Sequence, residues 1–237
     1  MLRALSAFLF LFLSGAAGSA ECRLALALAI DVSSSVDTEE DELQRNGLAA
    51  ALLAPEVQRA FFALDIPVAL AVYEWSGRYN QKLLVDWQVV EGPATLLKVA
   101  ETIAMSERSH NEYPTAMGYA LGYGAMLLDR GPDCHQRTID VAGDGINNEG
   151  FPPERAYIEF PFDGVTVNGL VVNAADFEAE VTVIDFYRED VIHGPGAFLE
   201  IAQGFDDYER AMRRKLEREL QPKAIGGLAS PTRAGPG

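Results

Sequence analysis

The sequence predicts an α/β protein built on a doubly wound, mostly parallel sheet, with helices on both faces and one antiparallel edge strand. Three observations carry that expectation. The run Leu24 to Ile30 is short, uncharged and continuous, the pattern of a parallel strand covered on both faces. Runs of this kind alternate along the chain with segments of helical periodicity, the order that builds a parallel sheet through crossovers. The first run ends abruptly in Asp31-Val32-Ser33-Ser34-Ser35, where the strand reaches solvent, and open α/β sheets bind ligands at that edge.

Each element follows from local chemistry. Asp37 or Thr38 caps a helix with an acidic first turn, Glu39 to Glu42, which runs to about Leu53. Pro55 opens a second helical piece to Leu64. Val68 to Trp75 and Lys82 to Val90 read as strands joined by a Ser76-Gly77 turn, a hairpin at a sheet edge. Pro93 starts a helix through Met105, and Ser106 to Pro114 is a polar loop. Thr115 begins a helix to Leu128, in which Gly118 and Gly122 are expected to let it pack closely on the sheet.

Arg137 to Val141 is the next strand, ending in Gly143-Asp144-Gly145, and Pro152-Pro153 prevents a long helix from following at once. Val165 to Val172 alternates as a strand, whereas Asp176 to Val191 carries both helical and strand patterns. His193-Gly194-Pro195-Gly196 is a turn, Ala197 to Ala202 a short strand, and Asp206 to Leu220 a capped, charged amphipathic helix.

Residues 1–20 have the form of an export signal. Arg3 gives a short basic start, Ala4 to Leu13 the apolar segment, and Gly18-Ser19-Ala20 the small residues of a cleavage site. The apolar stretch is shorter than the roughly 20 residues that span a bilayer. Glu21 before Cys22 argues against a lipid-modified cysteine. Residues 21–221 are then expected to form one domain, and 222–237, rich in Gly, Pro and Ser, a disordered tail. No later stretch is apolar enough to span a membrane, so the expected location is secreted or periplasmic. A formal net charge of −16 disfavours nucleic acid and anionic membranes as partners.

Export permits the two cysteines to pair. Cys22 lies nine residues before Asp31 and Cys134 ten before Asp144. If both aspartates stand at one edge of neighbouring parallel strands, the cysteines meet at the other edge, across strands about 4.8 Å apart.

Asp31, Ser33 and Ser35 present a carboxylate with hydroxyls at i+2 and i+4, an all-oxygen set suited to a hard cation such as Mg2+. Thr115, after a loop, and Asp144, at the end of the next strand, are the positions that complete it. At a topological switch point the loops after two neighbouring strands splay apart, so both carboxylates face one crevice. Two carboxylates and three hydroxyls neutralise the ion and leave room for water or a partner's carboxylate.

These residues resemble the von Willebrand factor A-type domain and its metal-ion-dependent adhesion site. Asp31, Ser33 and Ser35 match its Asp-x-Ser-x-Ser loop, Thr115 in Pro114-Thr-Ala-Met-Gly-Tyr-Ala-Leu121 its threonine, and Asp144-Gly145 its second aspartate. The hairpin around Tyr73 to Gly77, the segment Ile139 to Asn148 and the run Val191 to Phe198 resemble a branch of exported bacterial proteins with this domain and no assigned function. The resemblance implies a divalent ion, Mg2+ or else Mn2+ or Ca2+, and a protein partner offering an acidic side chain to it. One departure is Gly143, where most such domains carry a threonine.

Enzyme readings are weaker. There is no Gly-x-Ser-x-Gly elbow, and His110, His135 and His193 have neither metal nor triad spacing. The strongest rival is Mg-dependent phosphoryl transfer from an aspartate at a first strand's end, but that chemistry needs a carboxylate where Ser33 stands. A third class is a structural domain whose ion stabilises the fold. The expectation is a binding domain without catalytic residues.

Overall fold

The structure, a computed structural model, describes residues 22–173 and 177–221. The expected export signal and tail lie outside the described residues. Six strands form one sheet in the order β3-β2-β1-β4-β5-β6. They are β1 (Cys22–Asp31), β2 (Val68–Trp75), β3 (Gln81–Val90), β4 (Cys134–Gly143), β5 (Val165–Val172) and β6 (Leu199–Ala202). Only the β2–β3 pair, at the edge, is antiparallel. The chain leaves β1 toward β2 on one side and returns to β4 on the other, which places the switch point between β1 and β4.

Strand alternation divides the core in two. Leu24, Leu26, Leu28 and Ile30 face α1 (Thr38–Leu53), α2 (Pro55–Phe61), α3 (Pro93–Ala104) and α7 (Tyr208–Leu220). Ala25, Ala27 and Ala29 face the other way, with α4 (Met117–Asp129), α5 (Pro153–Glu159) and α6 (Phe177–Phe186) on that side of the chain's path. Burying each large aliphatic side chain contributes about 1.5–3 kcal/mol. Asp31 continues the alanine alternation, so its side chain points to the α4 side at the end of a strand buried throughout.

Several expected boundaries shift. α2 ends at Phe61 rather than Leu64, and β4 begins at Cys134 rather than Arg137 because pairing with β1 extends through Cys22↔Cys134. α4 begins at Met117, two residues after Thr115. The ambiguous segment is helical, passing from α6 into a π-helical turn at Tyr187–Val191. The last helix is preceded by a 3-10 turn, and Asp207, instead of capping it, accepts the Gln203 N–H at 3.0 Å.

The α4 glycines are also reassigned. A Cβ at Gly118 would meet Phe151 O at 2.1 Å, and one at Gly122 would meet the Phe160 ring at 2.8 Å, so both admit the segment after β4 rather than the sheet. Gly124 is the glycine against the sheet, where a Cβ would meet the Tyr73 hydroxyl at 2.6 Å and Ile139 at 2.9 Å.

Two buried ionic clusters join the layers. Arg45 of α1 pairs with Asp41 at 2.9 Å and with the fully buried Glu74 of β2 at 2.6 Å. Lys215 of α7 pairs with Asp140 of β4 at 2.5 Å and with Glu219 at 3.0 Å.

Cys22 and Cys134 form a disulfide between register partners at the start of β1 and β4, Cα atoms 4.6 Å apart. It closes 112 residues of sequence, which in the chain-entropy account contributes about 4–5 kcal/mol. The Cys22→Ser/Cys134→Ser double variant is expected to lose stability of that order in urea titration. An unchanged midpoint would mean that strand pairing alone holds the two strands.

Candidate metal centre

The crevice beyond the ends of β1 and β4 gathers all five residues singled out from the sequence. Asp31 ends β1 and is 0 % exposed, its Oδ1 accepting the Ser33 N–H at 2.7 Å. This closes the tight turn that brings Ser33 and Ser35 back over the strand tip. Ser33 is buried, while Ser35 is exposed at the rim. Asp144, directly after β4, accepts the Ser35 hydroxyl at 2.8 Å. Ser35 Oγ lies 3.0 Å from Ser33 Oγ, which in turn accepts the Thr115 hydroxyl at 3.3 Å. A continuous chain of three hydroxyls therefore runs from the buried Thr115 to the Asp144 carboxylate.

Thr115 is not a helix cap. The N-cap of α4 is Ala116, without a side-chain bond, and Thr115 is held instead by the loop after β4. Its N–H donates to Asn148 Oδ1 at 2.9 Å, and its carbonyl accepts the N–H groups of Asn148 and Glu149 at 3.0 and 3.1 Å. The polar turn at 147–149 is thus the support of the threonine.

Two other supports, Arg108 and Gln44, had no signal in the sequence, whereas the Asp37 cap is one of the two that the sequence offers. Arg108 reaches from the loop between α3 and α4 and donates to the carbonyls of Val32, Ser33 and Val36 at 2.9, 2.8 and 2.6 Å, clamping the serine loop from behind. Gln44 of α1 donates to the Asp31 carbonyl at 2.8 Å. Ahead of α1, Asp37 and Glu40 exchange capping-box hydrogen bonds at 2.9 and 2.8 Å, fixing where the loop becomes helix.

The electrostatics are those of a site without its counter-charge. Burial, and then the charge of Asp144, push the Asp31 carboxyl up to about 8, against the lowering effect of the Ser33 N–H. Burial also raises Asp144. Asp31 Oδ2 is buried with no hydrogen-bond partner, an arrangement that costs free energy unless a cation or water satisfies it. An oxygen-only donor set with an orphaned carboxylate oxygen fits a hard divalent ion. Among the described residues, this crevice included, no group of three or more His, Cys, Asp or Glu is placed to hold a metal.

Gly143 has a structural reason. A Cβ there would lie 2.6 Å from Asp31 Oδ2 and 2.6 Å from the Tyr187 hydroxyl, so the threonine of the resemblance does not fit this arrangement.

A mostly parallel six-stranded sheet with helices on both faces and polar loops at the β1/β4 crevice is the architecture of the von Willebrand factor A-type domain. The chain belongs to the family described as "Protein of unknown function (DUF1194)", which matches residues 21–224. No functionally curated protein matches it. Among similar solved structures is the mussel byssus proximal thread matrix protein 1 "with zinc occupied MIDAS motif", at 16% identity and TM-score 0.59 over 84% of this chain and 46% of that one. The pilus adhesin SpaC from Lactobacillus rhamnosus GG matches at 13% identity and TM-score 0.62, over 84% and 31% of the two chains. A von Willebrand factor type A protein from Catenulispora acidiphila matches at 14% and 0.58, over 84% and 42%. The chain spans less than half the length of these proteins, and the likeness is one of fold.

The raised Asp31 value sets a pH dependence. An unfolded aspartate titrates near 3.9. Between about 4 and about 8 the folded, ion-free protein retains a proton that the unfolded chain releases, so stability falls as pH rises through that interval. In chelator the thermal midpoint is expected to drop from about pH 5 to about pH 8. Asp31→Asn, which cannot ionise, is expected to reduce the drop, leaving what the raised Asp144 and Asp140 carboxyls contribute, and a wild-type curve already flat would contradict the assignment.

Proposed function

We propose that this protein is an exported binding domain that holds a divalent cation in the β1/β4 crevice and through it engages a protein partner. The observation that carries the reading is the chain of three hydroxyls running from Thr115 to the Asp144 carboxylate, beside the buried Asp31 carboxylate with its unpartnered oxygen. Asp31, Ser33, Ser35, Thr115 and Asp144 would hold the ion, Asp144 directly or through water. Mg2+ suits the neutral hydroxyls and two carboxylates best, with Mn2+ or Ca2+ as substitutes. The ion would act as a Lewis-acidic bridge, binding an oxygen of the partner at a position that the protein leaves open.

The surroundings support a binding role. Ser35 brings the site to the surface, and Ile146, two residues beyond Asp144, is 41 % exposed. Tyr79, in the β2–β3 turn at the same edge of the sheet, is 83 % exposed. Partly exposed apolar groups around a charged centre are what a docking surface needs to exclude water from the contact. A glutamate or aspartate of the partner suits the open position, and basic residues around that tip would offset the long-range repulsion of a very acidic protein. Export is supported by the form of residues 1–20 and by the disulfide, which persists in oxidising compartments.

Calorimetry with Mg2+ and Mn2+ tests the reading. The wild type is expected to bind, while Asp31→Ala and Ser33→Ala weaken binding by at least about tenfold each. At about a hundred times the dissociation constant, the ion should add about 2.7 kcal/mol to wild-type stability. Equal binding in all three proteins would end the cation reading.

A further inference from the structure

Tyr187 stands in the π-helical turn after α6, is 0 % exposed, and has no hydrogen-bond partner for its hydroxyl among the described residues. Its ring lies along a path opened by two glycines. A Cβ at Gly169 of β5 would meet Tyr187 Cδ1 at 3.0 Å, and one at Gly143 of β4 would meet the hydroxyl at 2.6 Å. Both glycines are on the face of the sheet toward which Asp31 points, as the alternation of Ile139, Val141 and Val167 in the same core shows. The ring thus reaches across β5 and β4 toward the tip of β1. The same Gly143 Cβ would meet Asp31 Oδ2 at 2.6 Å, and that oxygen is also unpartnered.

Two buried orphans, a donor-capable hydroxyl and a carboxylate oxygen, therefore both border the position of one missing side chain. Buried polar groups left without a partner are uncommon in folded proteins, and each carries a desolvation cost. The π-helical turn is itself uncommon and concentrates at functional sites; here it carries the tyrosine. Tyr187 is also coupled electrostatically to the site, its hydroxyl raised by burial and then by the charges of Asp31 and Asp144.

We propose that Tyr187 is a positioning residue of the cation site, its hydroxyl orienting the Asp31 carboxylate from beneath through the space left by Gly143. The inference rests on the cation reading above. The Ser33 N–H already holds Oδ1. A hydroxyl directed at Oδ2, through a small closing movement or a shared water, fixes the plane of the carboxylate and favours its charged form, the form that binds a cation. Partners of this kind typically alter metal affinity 10–100-fold when removed.

The test is Tyr187→Phe, which keeps the ring in its glycine path and deletes only the hydroxyl. Calorimetry with Mn2+ is expected to show affinity about tenfold weaker than wild type. The ion-free variant in chelator is expected to melt no lower than wild type, because the hydroxyl it lacks was buried without a partner. Titrating Mn2+ into the wild type should also produce a tyrosine ultraviolet difference spectrum that is lost in Tyr187→Phe.

Equal Mn2+ affinity in the two proteins would overturn the positioning role while leaving the cation reading intact. A weaker affinity accompanied by a lower ion-free melting point would also overturn it, since packing would then account for the loss. A wild type that binds no Mn2+ would remove the cation reading and this inference together.

Discussion

The parallel pairing of β1 with β4 is the constraint on which the rest depends. The register runs unbroken from Leu24↔Gln136 to Ile30↔Ala142, with Cys22↔Cys134 as its first pair. Parallel strands end at the same edge, so this one alignment brings Asp31 and Asp144 to one crevice, although 113 residues separate them in sequence. A slip of one residue would turn Asp31 to the opposite face, into the aliphatic core, and the alanine row toward the wrong helices. The disulfide covalently joins the pair farthest from the site, at the end where a slip would begin.

The crevice concentrates an electrostatic cost at the tip of a rigid strand. A carboxylate at 0 % exposure, with a second carboxylate across a hydroxyl chain, disfavours its own ionisation unless positive charge arrives. The nearest fixed cation, Arg108, spends its donors on backbone carbonyls of the serine loop rather than on Asp31. It shapes the loop and lowers the cost only partly. The surrounding scaffold braces the loop: Gln44 holds the Asp31 carbonyl, the Arg45–Glu74 pair joins α1 to β2, and the capping box at Asp37 fixes where the loop becomes α1. Preorganised oxygens on rigid elements hold an ion with little loss of conformational freedom on binding.

The two faces of the sheet do different work. The aliphatic face, packed under α1, α2, α3 and α7, carries large side chains and the Lys215–Asp140–Glu219 cluster, which locks the last helix to β4. The face toward α4 carries the alanines of β1 and, among the Ile and Val residues of β4 and β5, the glycines Gly143 and Gly169. Those two glycines leave room for Tyr187 beside the site, and on α4 Gly124 avoids the clash with Ile139 that a Cβ would make at 2.9 Å. An apolar face built from larger residues would hold the same strands but exclude the tyrosine from the crevice.

Much of this was legible in the chain because it is local. Val68–Trp75 and Val165–Val172 are strands with the expected bounds, since buried β-branched runs and their flanking turns specify them without help. The five oxygen-bearing residues could be named from strand-tip position and residue type, and the cysteine pair from similar offsets, nine and ten residues, to Asp31 and Asp144. Other features depend on what lies across space. The start of β4 at Cys134 comes from pairing with β1, and Thr115 sits outside its helix because Asn148 holds its backbone. The helical state of the segment before Val191, and the glycines that serve α4, follow from which neighbours arrive to pack. By itself the sequence determined the sheet, the order of its elements and the residue types at the crevice, since these follow from short-range pattern and strand polarity. Only the tertiary structure decided that Arg108 clamps the loop and that Tyr187 and Asp31 both border Gly143, because those relations rest on distances between segments that no local pattern encodes.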